Sequence, residues 1–117
     1  MVGFLTTHAL DTSRGTPAAN LRIDFLEYKN GSSNAVCSVV TNADGRTDQT
    51  ILTEADFRLG SFELIFHVGD YYRQFDYRYG EPMFLDLVPI RFGISENKHY
   101  HVPILLSPFG YSTYRGS

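Results

Sequence analysis

Apolar and polar residues trade places one by one along much of this chain. A two-residue period of that kind restricts it to extended strands with one buried face. Phe62, Leu64, Phe66 and Val68 alternate with Ser61, Glu63, Ile65 and His67, and Leu21, Ile23 and Phe25 alternate with Arg22 and Asp24. Residues 2–10 read as a first strand carrying Phe4, Thr6, His8 and Leu10 on one face. Residues 35–40 and 99–106 are also extended, and 111–115 forms a last strand after the turn Ser107-Pro108-Phe109-Gly110. Asn30-Gly31 is a hairpin pair, and Asn42-Ala43-Asp44-Gly45 is a second turn that delivers Arg46 just beyond it. Residues 85–94 form a strand interrupted by Pro89, which cannot donate to a ladder and so marks an edge strand or a bulge. The best helix candidate covers 70–77, after Gly69, with Asp70 able to cap it, and the aromatic density leaves strand as the competing reading there. Seven or eight short strands and at most one helix predict an all-β, two-sheet antiparallel β-sandwich in a single domain, 1–117.

Seventeen Phe and Tyr among 117 residues are ample material for a core, but a chain this short has little volume left for a deep private pocket. A net charge of −3 gives no support to nucleic-acid binding, which needs a basic surplus or stripe. No stretch approaches the ~18 apolar residues of a membrane span. Residues 1–8 lack the basic and apolar regions of a signal peptide, and the closing Tyr114-Arg115-Gly116-Ser117 is not a Ser-Lys-Leu address. The single Cys37 cannot form an internal disulfide, and within the apolar run 35–40 it reads as a buried, inert thiol. A cytoplasmic location is expected.

Four histidines are the first candidates for chemistry, because imidazole can act as base, acid or ligand near neutral pH. His99 and His101 share a strand face, and His8 forms a polar pair with Thr6. His67 has no evident partner. His8, His99 and His101 could offer three nitrogens to a zinc ion, yet no carboxylate or cysteine completes such a site at a helpful spacing. No Gly-x-Ser-x-Gly elbow and no glycine-rich phosphate loop occurs.

Four blocks in order along the chain carry a resemblance. They are Leu5-Thr6-Thr7-His8-Ala9-Leu10-Asp11 with Gly15-Thr16-Pro17-Ala18, then Asn42-Ala43-Asp44-Gly45-Arg46-Thr47-Asp48, then residues 84–92, and last 99–103 with 106–117. The sequence resembles the 5-hydroxyisourate hydrolases of the transthyretin-like family over essentially its whole length. The resemblance implies a transthyretin-like sandwich of about eight strands with one short helix, assembled as a homotetramer with active sites at the subunit interface. It implies a metal-free, cofactor-free hydrolase that opens 5-hydroxyisourate to 2-oxo-4-hydroxy-4-carboxy-5-ureidoimidazoline in urate degradation. The family's active residues fall on His8, Arg46, His101 and Tyr114-Arg115-Gly116-Ser117. Phe109, where a larger aromatic is usual, departs from the pattern outside that set.

On this reading His8, Arg46, His101 and Ser117 are catalytic, and His8, Arg46, Tyr114 and Arg115 bind substrate. Either His8 or His101 takes a proton from the attacking water, while Arg46 steadies negative charge on oxygen. Tyr114 holds the planar ring. The rival is a transthyretin-like carrier that binds small aromatic ligands in the tetramer channel without chemistry. Two imidazoles and a guanidinium are poor furniture for such a channel, and fold alone could not decide the matter.

Overall fold

A computed structural model describes residues 2–75 and 79–116, and in it the alternation becomes two packed sheets. In chain order the described elements are β1 (Phe4–Asp11), β2 (Thr16–Pro17), β3 (Arg22–Lys29), β4 (Ser32–Val40), β5 (Gly60–His67), α1 (Val68–Arg73), β6 (Leu87–Ile94), β7 (His99–Ser107) and β8 (Gly110–Thr113). One sheet has the order β2-β1-β7-β8 and the other β4-β3-β5-β6. Leu5, Ala9, Ile104 and Leu106 from the first face Ile23, Phe25, Phe62, Leu64 and Phe66 from the second, all fully buried. Each large apolar side chain so buried contributes about 1.5–3 kcal/mol. Phe25 and Phe62 stack with ring centroids 5.4 Å apart. The β1 pattern is strictly alternating: Leu5, Thr7, Ala9 and Asp11 point inward, while Phe4, Thr6, His8 and Leu10 lie on the opposite, half-exposed face.

Pro89 lies on β6, an edge strand, as its missing N–H requires. Asn30 and Gly31 both take positive φ, at 54° and 80°, the backbone of a tight hairpin turn between β3 and β4. Four expectations are corrected. The sandwich is not wholly antiparallel, because β1 and β7 pair in parallel, with Thr6 opposite His101 and His8 opposite Pro103. A parallel pair needs a long crossover, and here the entire second sheet supplies it.

The helix starts at Val68 rather than Asp70, and its expected end at Tyr77 falls outside the described residues. Strand β5 runs straight into it, so His67 takes the cap position without a side-chain cap bond, and Asp70 pairs instead with Arg73 at 2.7 Å. Gly69 is tolerated inside the helix because a Cβ there would lie 2.2 Å from the Asp86 carboxylate. His67 does have a partner, Asp24, across the outer face of the second sheet at 2.8 Å. Burial works to raise the pKa of Asp24, but hydrogen bonds from Ser38, His67 and Arg22 outweigh it and bring the value down to about 2. Cys37 is exposed, not buried: β4 is an edge strand flanked only by β3, and its apolar run faces solvent. Residual desolvation still pushes the thiol pKa up.

Asp11 ends β1 as a buried carboxylate. It accepts hydrogen bonds from the Tyr71 hydroxyl at 2.8 Å, the Tyr72 hydroxyl at 2.9 Å, the Ser13 hydroxyl at 2.7 Å, and the backbone N–H groups of Ser13 and Arg14. This cluster ties α1 to the first sheet.

Candidate active site

Three stretches distant in sequence meet on the outer face of the first sheet. The parallel register of β1 and β7 sets Thr6 beside His101 and Phe4 beside His99. The Thr6 hydroxyl lies 2.7 Å from His99 Nε2 and 2.8 Å from His101 Nδ1. The Phe4 ring stacks on His99 with centroids 4.0 Å apart and planes 10° apart.

The turn after β4 brings the third stretch. Asn42 organises it by accepting from the backbone N–H of Asp44 and Arg46 through Oδ1, and from Gly45 through its carbonyl. Ala9 N–H donates to the Gly45 carbonyl at 2.8 Å, clamping the turn onto β1. Only glycine fits there: its φ is 74°, and a Cβ would lie 2.3 Å from the Ala9 carbonyl oxygen. The clamp delivers Arg46 to a cleft of about 160 Å³ lined also by Thr6, Thr7 and residues 47–50. His8 Nε2 lies 3.0 Å from the Asp44 carbonyl, which can only accept, so Nε2 carries the hydrogen of that bond.

His101 has its pKa lowered, first by burial and then by the charges of Arg46, His99 and His8. These surroundings favour the neutral ring, the form able to take a proton. The closing segment covers it from the side. Gly116 N–H donates to the His101 carbonyl at 2.8 Å, and a Cβ on Gly116 would come within 2.7 Å of His101 Cδ2.

The structure thus brings together His8, Arg46 and His101 of the residues singled out in the sequence. Tyr114 and Arg115 are exposed and line a different groove with Ile90, Phe92, Tyr100 and Val102, at the open edge between β6 and β8. Ser117 lies outside the described residues. Thr6 is the contributor that sequence reasoning passed over. The period-two pattern put it on the face of His8, but nothing local shows that His101 lies across from it. Among the described residues no group of three or more His, Cys, Asp or Glu could hold a metal ion.

A β-sandwich whose outer sheet face gathers imidazoles beside a guanidinium offers groups able to exchange protons and to hold an anion. The profile of the HIUase/Transthyretin family matches residues 5–116, and the chain belongs to that family. It is 54% identical over 115 residues to the 5-hydroxyisourate hydrolase of Mesorhizobium japonicum, covering 98% of this chain and 93% of that protein. Among solved structures it resembles (S)-allantoin synthase with a TM-score of 0.91 and 40% identity, covering 98% of this chain but 44% of that one. It also resembles 5-hydroxyisourate hydrolase of Klebsiella pneumoniae, with a TM-score of 0.78 and 32% identity, covering 97% of this chain and 99% of that one.

Proposed function

We propose that this chain is a 5-hydroxyisourate hydrolase, opening the six-membered ring to give 2-oxo-4-hydroxy-4-carboxy-5-ureidoimidazoline in urate degradation. The observation that carries the reading is the convergence of His8 and His101 on one sheet face with Arg46 brought beside them by the turn after β4. Relatives named for this activity match over nearly the full chain. His101 takes the proton from a water that attacks the ring carbonyl, a contribution of about 10²–10⁴-fold. Arg46 donates to the substrate and to the oxyanion as it forms, where its planar fork fits two oxygens. His8, held by Asp44 through Nε2, accepts a hydrogen bond at Nδ1 from the substrate's N–H edge. The reaction needs no metal or cofactor.

The proposal includes one domain over 1–117 acting as a homotetramer in the cytoplasm, with sites completed between subunits. Exposed Leu87, Tyr111 and Tyr114 near the β6 and β8 edges support subunit contacts there. Tyr114, Arg115 and Ser117 then meet substrate in the assembled channel, Tyr114 holding its ring. Separate His8→Ala and His101→Ala variants, assayed by the loss of 5-hydroxyisourate absorbance, test the reading. Both are expected to fall toward the spontaneous decay rate; near-full activity in both refutes it. Light scattering is expected to show a tetramer, and an active monomer overturns the interface site. A transthyretin-like carrier would bind an aromatic ligand and leave that decay unchanged.

A further inference from the structure

The Thr6 hydroxyl has one proton and two ring nitrogens within bonding distance, His99 Nε2 at 2.7 Å and His101 Nδ1 at 2.8 Å. It can donate to only one of them, so the other must donate to it. The two rings are therefore locked into opposite states at this oxygen: one facing nitrogen carries hydrogen and the other does not. We propose that Thr6 is a proton relay joining His101 to His99, so that charge taken up by the base is unloaded on an exposed ring. Thr6 and His99 act through His101 and are positioning residues. This inference rests on the hydrolase reading given above.

Before reaction, His101 Nδ1–H donates to Thr6 and Thr6 donates to His99 Nε2, which leaves His101 Nε2 with a free lone pair. The attacking water gives its proton to His101 Nε2 and its hydroxide to the substrate carbonyl. The Nδ1 proton then passes to Thr6 while the Thr6 proton passes to His99 Nε2. His101 ends neutral, protonated on Nε2, and His99 ends as the imidazolium. When the ring C–N bond breaks, His101 Nε2–H protonates the leaving nitrogen and the relay runs backward. Protons balance over the cycle, and water is the only molecule added.

The surroundings favour that direction of charge movement. His101 is half-buried and faces His8 from β1, Arg46 from the turn after β4, and His99 from its own strand, and among the described residues the Gly116 backbone flanks it beyond β8. A second cation beside Arg46 is costly there. His99 is exposed, 6.1 Å from His101 between ring centroids, and lies flat on Phe4, whose face tolerates a cation.

Thr6→Val keeps the shape of the side chain and deletes the hydroxyl. It is expected to lower kcat roughly ten- to a hundredfold, as loss of a group that orients a working histidine does, with KM unchanged. Thr6→Ser should restore kcat, and His99→Phe, which keeps the stack on Phe4, should reproduce the loss. Ring-nitrogen NMR shifts at neutral pH supply a readout that needs no turnover: His101 should hold its hydrogen on Nδ1 in the parent and redistribute it toward Nε2 in Thr6→Val. The same tautomer in both proteins, or a Thr6→Ser variant as slow as Thr6→Val, overturns the relay. A parent protein inert toward 5-hydroxyisourate sinks the hydrolase reading instead, and the NMR comparison still decides the hydrogen-bond assignment.

Discussion

Replacing Asp11 separates the residues of the first sequence block that hold the fold from those that perform chemistry. The carboxylate is 1% exposed and is the acceptor for the Tyr71 and Tyr72 hydroxyls, at 2.8 and 2.9 Å. Both tyrosines are themselves almost fully buried. Asp11→Ala removes their shared acceptor, and each stranded hydroxyl costs about 1–3 kcal/mol. The exposed Ser13 can turn to water, so its bond adds little. The expected loss is thus roughly 2–6 kcal/mol, a large share of the about 5–15 kcal/mol that holds a domain folded. Asp11→Asn keeps one acceptor oxygen and offers an amide that a tyrosine oxygen can accept from, so its cost is about 1 kcal/mol. Urea unfolding should show the midpoint falling in that order with unchanged slope, while kcat per folded molecule stays at the parent value. An Asp11→Asn protein with an unmoved midpoint and a kcat at least roughly tenfold lower would refute the structural assignment. An unmoved midpoint for Asp11→Ala would refute the burial arithmetic.

Arg46→Gln removes a cation that depresses the pKa of His101, so that pKa should rise and the acidic limb of kcat/KM should move to higher pH. Arg46→Lys should leave the limb in place yet lose roughly 10²-fold in rate, because an ammonium cannot match the planar fork; a pH–rate series on both variants separates charge from geometry. Gly116→Ala, whose new Cβ would sit 2.7 Å from His101 Cδ2, should displace the ring or the closing segment and cut kcat, with His101 ring shifts moving and the thermal midpoint nearly unchanged. Burial, helped by Asp11, lifts the Tyr71 pKa from 10.0 to about 12, so the neutral phenol is favoured in the folded state. The stability it confers is complete below pH 10 and lost as pH rises toward 12, which unfolding midpoints across that range will show.

Strand faces were legible in the sequence wherever one face is buried and the other is not. Phe62, Leu64 and Phe66 declared β5, and Pro89 declared an edge, because each records its own surroundings in its residue type. Partners across space leave no such mark. The pairing of β1 with β7 depends on topology, so the bonds from Thr6 to His99 and His101 could not be read from either strand by itself. Asp24 and His67 met for the same reason, by the β3–β5 register. The run around Cys37 misled because valines signal a strand, while the neighbour that would bury one is set by strand order. Between His8 and His101 as base the sequence offers no choice, and the proposal of His101 rests on surroundings that only the fold supplies: burial, Arg46 and the Gly116 backbone.

The parallel seam between β1 and β7 also decides whether the active face can exist. Residues 22–94 contain all four strands of the second sheet, joined by antiparallel neighbours of shorter sequence separation. His8 lies near the start of the chain, yet the strand that positions it takes its partner some 95 residues downstream. Closing so long a loop carries an entropic cost that the contacts of this seam must offset. The active face therefore depends on β7 docking against β1, a pairing that the second sheet does not need for its own ladder.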